Sequence, residues 1–489
     1  MSKFNKNKDQ DNITTNNEGC VAYKIEDKLK LTTMVLTSLF NEDKYYGDNS
    51  KELVALADRL IDEGQGKYVA SLAIFARDKM NLRSISHVLI AILAHNNNGK
   101  EYVKFACDKA IMRADDILEI LAYYVETYGK PIPNSLKKAL SLAMDKFDEY
   151  QFAKYNRQSK AFNFKDVLRL THAKATSEQK NELYKKIIDD TLQTPYTWET
   201  ELSKRGNTKE VWEELIDSGK LGYMALLRNL NNIIKAKPNN YNKVLETLTN
   251  ENLILKNKVL PFRYYSAYVS LKNNNLSTSS IFDALEKAVK ISMKNVEQIK
   301  GTTLLAVDVS GSMMQKISSK SEISCCDIAR ILCAMANYVC ENSIVVSFDN
   351  NLYKHSLATT NGILLNADSI DFSGGGTYCQ LPLEYLLDEK IKVDRIIMLS
   401  DNMCNRSYTA GHLWEKRTPT QKLFNDYLNK INPDAFFHMI DIVGYGTSEV
   451  NINSDKVDFI SGWNENILGY INTYEKGINT LVSDIEKMY

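Results

Sequence analysis

Leu304-Leu305-Ala306-Val307-Asp308-Val309-Ser310-Gly311-Ser312 is an apolar run that stops at one acid, two hydroxyls and a glycine. A strand ending in Asp-x-Ser-x-Ser sets one carboxylate and two hydroxyl oxygens around a point at the carboxyl edge of a sheet, the oxygen-rich coordination that a hard cation takes. Two later segments supply oxygen to the same edge. Ser373-Gly374-Gly375-Gly376-Thr377 lets the backbone approach closely before a threonine hydroxyl, and Ile396-Ile397-Met398-Leu399-Ser400-Asp401 is a strand ending in an acid. Asp308, Ser310, Ser312, Thr377 and Asp401 therefore form a candidate divalent-cation site, with Mg²⁺ expected and Mn²⁺ or Ca²⁺ as alternatives. Two carboxylates leave a divalent ion short of negative ligands once hydroxyls fill the other positions, so an acidic oxygen from a partner completes the set. That chemistry is binding rather than hydrolysis. The motif lacks the second carboxylate of an aspartyl-phosphate phosphatase and no general base accompanies it, so no enzymatic activity is expected. A purely structural reading makes Asp308 and Asp401 strand-end caps and the glycine segment a turn.

The elements that must hold these residues alternate. Strand 302–308 precedes a helix near 322–341, strand 343–348 with a hairpin partner near 352–357, a helix near 381–389 and strand 394–400. A helix near 421–431, strands 435–443 and 457–460, and a helix after 464 complete the series. Alternating strands and helices imply a doubly wound, mostly parallel sheet with its ligand site beyond the strands' carboxyl ends. Before it, residues 28 to 293 carry almost no strand signal. Segments 51–62, 68–79, 85–95, 102–114, 117–127 and 133–147 each place apolar residues at three- and four-residue spacing, which reads as antiparallel helix pairs stacked in a solenoid able to close into a ring. The fold class is thus all-α followed by α/β, with an unstructured lead at 1–18, a helical-repeat domain at 19–298 and an α/β domain at 299–489.

The whole chain has 489 residues and 61 basic against 61 acidic side chains, yet residues 301–489 hold 15 Lys and Arg against 23 Asp and Glu, leaving 46 against 38 before them. A basic first part suits polyanions and an acidic second part suits a cation, although such excess also serves solubility. Eight cysteines without paired C-x-x-C spacing read as reduced, buried thiols, and no apolar run suits a signal peptide or membrane span. A cytoplasmic location without membrane partners is the expectation. The most suggestive basic window contains Lys154, Arg157 and Lys160, then Lys165, Arg169 and His172 at i, i+4 and i+7 of a helical pattern, with Tyr155 and Phe162 as rings for stacking. Alone, such a window describes a solvated face as readily as an RNA surface. Trp198 and Trp212 read as core anchors, Arg228 as a buried pair-maker with Arg263 similar, and the scattered histidines other than His172 as structural or exposed.

The five metal-site residues, in this order, resemble the metal-ion-dependent adhesion site of the von Willebrand factor A domain. Upstream, Asn17-Glu-Gly-Cys20-Val-Ala-Tyr23, Lys44-Tyr45-Tyr46, Lys165-Asp-Val-Leu-Arg-Leu-Thr-His172, Tyr223-Met-Ala-Leu-Leu-Arg-Asn-Leu230 and Leu260-Pro-Phe-Arg263 resemble successive blocks of the TROVE module, the ring of HEAT-like helical repeats of the Ro ribonucleoprotein family. The resemblance spans about residues 15 to 489. It implies an RNA-binding scaffold of a small cytoplasmic ribonucleoprotein, in noncoding-RNA quality control and stress response. Y-like noncoding RNA would bind on the ring exterior, and single-stranded ends of misfolded RNA in the hole. It further implies a monomer, an exoribonuclease partner such as polynucleotide phosphorylase, and RNA contacts at Lys154, Arg157 and His172. The chain has one extra residue between Tyr155 and Lys165, and Thr171 stands where the family phrase has serine. The competing reading is a metal-dependent protein-interaction scaffold that does not use RNA.

Overall fold

The computed structural model describes residues 13–15, 21–36, 48–156, 161–257, 259, 261–276, 278–316, 323–404, 419–445, 447–452, 454, 456–461, 466–475 and 481–489. Arg157, Lys160, Cys20 and His412 lie outside them. The chain divides into two compact units, residues 1–41 with 207–479, and residues 42–206 with 480–489.

In the first unit, strands β3 (Ile299–Asp308), β4 (Cys340–Phe348), β5 (Leu352–His355), β6 (Arg395–Ser400), β7 (Phe436–Asp441) and β9 (Val457–Ser461) form one sheet in the order β5-β4-β3-β6-β7-β9. Only β5 runs antiparallel. All six residues of β6 are buried, as expected of a central strand covered on both faces by helices such as Cys325–Val339 and Pro419–Lys430. The alternating elements expected from the sequence are thus present, and they converge their carboxyl ends on one edge.

Three strands lie outside that sheet. Residues Ile13–Thr15 (β1), expected in an unstructured lead, pair with Val21–Lys24 (β2), which pairs in turn with Thr447–Ser448 (β8). Ile25 is 1% exposed inside the cluster formed by Leu304, Val346, Ile396 and Phe437. β-Branched Ile-Thr-Thr favours a strand once a partner edge is available, and only the folded α/β domain supplies that edge. Helices from Lys209–Asp217 to Ser279–Ser292 belong to the same unit: Glu286 accepts hydrogen bonds from the backbone N–H groups of Ile363 (2.5 Å) and Leu364 (2.9 Å), and Lys272 pairs with Asp368 at 2.5 Å.

A buried ionic cluster ties β6, β7 and β9 to the helix Asn466–Glu475. His438 Nε2 lies 2.9 Å from Glu475 Oε1, its Nδ1 lies 3.4 Å from Asp458 Oδ2, and Arg395 donates to both oxygens of Glu475 at 2.7 and 2.8 Å. Burial opposes a charge on His438, but the two carboxylates outweigh it and raise its pKa. A raised folded-state pKa stabilises the protein below the unfolded histidine value of about 6.5, and that contribution is lost as pH rises through the folded value. Accordingly, the denaturation midpoint of the wild type is expected to fall on the alkaline side of pH 6.5, and His438→Gln is expected to remove that slope; parallel profiles for the two would contradict the assignment.

The second unit is helical. Helices Asp48–Leu60, Gly66–Asp78, Ser84–His95, Val103–Ala110, Ala114–Tyr128 and Asn134–Met144 occupy the six periodic segments, and Glu149–Tyr155, Phe164–Thr171, Glu178–Ile188 and Trp198–Arg205 follow. Helix Ser84–His95 is buried from Ile85 to Ala94, as the apolar run Val88 to Ala94 requires, and it takes Ser86 and His87 inside with it. Asp116 has no solvent exposure; Arg83 Nε reaches it at 2.5 Å, His87 Nε2 at 3.2 Å and Arg77 at 3.5 Å. Its second oxygen accepts the backbone N–H groups of Met112 (3.0 Å) and Arg113 (2.9 Å) at the start of helix Ala114–Tyr128. Burial alone would raise its pKa, but His87 and the arginines hold the carboxyl well below its ordinary range.

Trp212 is fully buried, as expected of an anchor, and donates to Asn207 at 2.5 Å. Trp198 is only half-buried, because it opens a short amphiphilic helix with no buried residue. Arg228, expected to be buried, is exposed: it closes helix Tyr223–Arg228, whose apolar side is carried by Leu226 and Leu227.

Candidate functional site

Each of four parallel strands ends in an aspartate that closes the same local turn. Asp308 accepts the N–H of Ser310 (2.9 Å), Asp349 that of Asn351 (2.8 Å), Asp401 that of Met403 (3.1 Å) and Asp441 that of Val443 (3.1 Å). An aspartate side chain that bonds the backbone two residues on is the ordinary way to turn the chain out of a strand. One oxygen of each therefore has a structural task. The strand-cap reading of Asp308 and Asp401 is correct as far as it goes.

The remaining oxygens distinguish the four. Asp308, Ser310 and Asp401 are completely buried, Thr377 is 2% exposed, and Ser312 is exposed at the mouth. Ser310 and Ser312 hydroxyls lie 3.2 Å apart, and Ser400 donates to Asp308 Oδ2 at 2.6 Å. The glycine segment docks alongside: Gly374 N–H donates to Val309 carbonyl at 3.0 Å, and Gly311 N–H donates to Gly375 carbonyl at 2.9 Å. Gly374 has φ +81°, and a Cβ on Gly375 would run into the Asp349 carboxylate, so both positions need glycine. Ser373 ties the segment to Asp349 Oδ2 at 2.7 Å. These hydrogen bonds outweigh burial and hold Asp349 below its ordinary pKa.

Burial, then the nearby charge of Asp401, pushes the Asp308 carboxyl up to about 7. Two carboxylates forced together away from water oppose each other's ionisation, and a divalent cation between them reverses that penalty. The donors brought together here, two carboxylates with hydroxyls from Ser310 and Ser312, suit Mg²⁺ or another hard cation, and Thr377 is buried at the end of the docked glycine segment. Asp349, Ser373 and Ser400 escape the sequence reading. Ser347-Phe348-Asp349 repeats the strand-then-acid signal of the other two, whereas the roles of Ser373 and Ser400 are set by strands distant in sequence.

Cys379 and Cys404 form a disulfide with Cα atoms 5.8 Å apart, contrary to the expectation of reduced thiols throughout. They follow Thr377 and Asp401 closely, so the fold that gathers those two loops also gathers the sulfurs, which are 25 residues apart in sequence. Cys107, Cys325, Cys326, Cys333 and Cys340 are buried.

The basic window lies in the second unit. Lys154 is half-buried near the end of helix Glu149–Tyr155, with its ammonium 5.8 Å from the ring of Tyr150 and 5.5 Å from that of Tyr155. Tyr150 is 50% exposed, and Arg113 covers Tyr155 at 4.8 Å. Helix Phe164–Thr171 buries Phe164, Val167 and Leu168, and Asn163 and Asp166 cap it reciprocally. Lys165 lies 3.4 Å from Asp190, while Arg169 is exposed. His172 is exposed too, but not as a continuation of the helix face: it is the C-cap, in left-handed conformation with φ 53°. A polar groove of about 820 Å³ passes Lys154, Asn163, Asp190 and Lys204. A second groove, of mixed lining and about 560 Å³, passes Arg169, Lys174, Glu178, Lys185 and Ile188.

The family model described as TROVE domain matches residues 15–193 and 189–281, and that described as Ro60 vWA domain matches residues 302–440. Among curated proteins, telomerase protein component 1 of Rattus norvegicus is 26% identical over 291 residues, 42% of this chain and 11% of the relative. Its Mus musculus counterpart is 24% identical over 334 residues, 50% of this chain and 13% of the relative. The chain thus spans about an eighth of the length of these relatives. The crystal structure of the Deinococcus radiodurans RO (RSR) protein shares the fold, with TM-score 0.59 and 16% identity over 92% of this chain and 100% of that one.

Proposed function

The chain belongs to the TROVE domain family, with a Ro60 vWA domain after its helices, and from that premise we propose that it is the protein scaffold of a small ribonucleoprotein. TROVE proteins bind RNA. The observation that carries the reading here is the TROVE match across residues 15–281, within which Arg169 and His172 are exposed and Lys154, Arg169 and Lys174 line two grooves. Cations supply phosphate attraction, and the exposed Tyr150 ring supplies a stacking surface. A Y-like noncoding RNA is the expected structured ligand, with unpaired ends of misfolded RNA as the second class and an exoribonuclease as the consumer of such ends. No helix among the described residues is long and apolar enough to cross a membrane, and we place the particle in the cytoplasm.

Within this reading the A domain is a docking module. Asp308, Ser310, Ser312, Thr377 and Asp401 hold a divalent cation, and the ion takes an acidic oxygen from a protein partner. No residue is assigned to bond cleavage. The test is binding of the full chain to a structured small RNA and to one with a free 3′ tail, over a range of salt. Affinity falling steeply with salt supports the reading, and the absence of binding to both RNAs overturns it. The donor set of the cation site favours a second reading, a protein-interaction scaffold independent of RNA. A native complex that survives nuclease and dissociates in chelator would support that alternative.

A further inference from the structure

The exposed Arg228 leads to a site that the basic window does not include. A pocket of about 160 Å³ lies between helices Tyr223–Arg228, Leu230–Ala236 and Pro261–Asn273. Arg263, Ser266, Ala267 and Ser270 fall at i, i+3, i+4 and i+7 of the last helix, so one stripe of it faces the pocket. Arg228 and Asn231 face that stripe from the other side, over buried Leu227 and Leu230. Among the described residues, no acid lines the pocket and Arg228 is paired with no carboxylate.

We propose that this pocket is a phosphate subsite, holding a phosphodiester or terminal phosphate of an RNA strand between Arg228 and Arg263. Arg263 sits in the first turn of a 13-residue helix that has no acid there, a position where the helix dipole disfavours a cation and favours an anion. Guanidinium groups from two sides match the oxygens of a phosphate by paired donors. Asn231 donates to Ser270 Oγ at 2.7 Å, and its other polar atom is buried without a hydrogen-bond partner. A half-turn of that carboxamide keeps the bond with Ser270 as donor and turns an N–H toward the unpartnered position.

The assignment rests on the RNA-binding reading, and its test separates the two. The full chain is titrated with a short single-stranded oligonucleotide with and without a 5′-phosphate, and with inorganic phosphate, for wild type, Arg228→Gln, Arg228→Lys and Arg263→Gln. Arg228→Gln is expected to weaken the oligonucleotide about tenfold and to flatten its salt slope by about 0.7, with Arg228→Lys intermediate because it keeps charge without the fork. A larger loss for the phosphorylated oligonucleotide assigns the terminal phosphate, and an equal loss assigns a backbone phosphate. Oligonucleotide binding unchanged in both glutamine variants overturns the subsite while leaving RNA binding intact. Loss confined to inorganic phosphate overturns the RNA strand as its source. Absence of oligonucleotide binding to the wild type overturns the subsite, and the structured-RNA titration then decides the broader reading separately.

Discussion

Asp308→Asn is expected to abolish the stabilisation of the A domain by divalent cation that the proposed site predicts. An ion that binds only the folded state raises stability by RT ln(1 + [L]/Kd), about 2.7 kcal/mol at a hundredfold excess over Kd. Wild type is therefore expected to melt at higher temperature as Mg²⁺ is added, and the variant to show no such increment. In chelator the order changes. Asparagine keeps its carbonyl as acceptor for Ser310 N–H and turns its amide N–H toward Ser400, whose hydroxyl can accept instead of donate, and it removes the charge that opposes Asp401, so the metal-free variant is expected to be at least as stable as metal-free wild type. Thermal melts with Mg²⁺, Mn²⁺, Ca²⁺ and chelator check both halves. An increment preserved in the variant would remove Asp308 from the site.

Asp116→Ala is expected to cost about 3–5 kcal/mol of folding stability, the range for leaving buried charges without their partner. The substitution strands Arg77, leaves Arg83 with only Asp115 and Glu119, and withdraws the acceptor of two backbone N–H groups at the entry to helix Ala114–Tyr128. Asp116 lines neither groove, but Arg113, whose backbone N–H it accepts, covers the Tyr155 ring beside Lys154, so an RNA-binding loss larger than the unfolded fraction would trace to that contact. Guanidinium unfolding of the two proteins measures the cost, and a change below about 1 kcal/mol would show the cluster to be a surface-type ion network.

The α/β domain is legible in the sequence because each central strand is an apolar run that stops at an acid, and that signal is local. Asp308, Ser310 and Ser312 can be read together for the same reason, and Thr377 and Asp401 because glycine and strand grammar mark their loops. What is not legible depends on chain distant in sequence. Ser400 acts on Asp308 only through neighbouring strands, Cys379 meets Cys404 only when two loops close, and Ile13–Thr15 becomes a strand only against an edge shared with residue 448. His172 shows the limit of periodicity. Its spacing from Lys165 continues the helical count, but Thr171 is the last helical residue and the chain turns left-handed at His172. Arg228 departs from expectation because an apolar neighbourhood in sequence does not make a position buried, and it sits at the helix end, where a long side chain reaches solvent.

The central claim is that the cations of the second unit hold RNA through its phosphates. Its most direct measurement is the salt dependence of RNA affinity for wild type against a variant with Lys154, Lys165 and Arg169 all changed to Gln. Removing one cation from a phosphate should reduce the slope of log K against log salt by about 0.7 to 0.9, so the triple variant is predicted to bind more weakly at low salt and with a slope smaller by about 2. Equal affinity and equal slope for the two proteins would contradict the account, because RNA would then be held by some other surface or not by its phosphates.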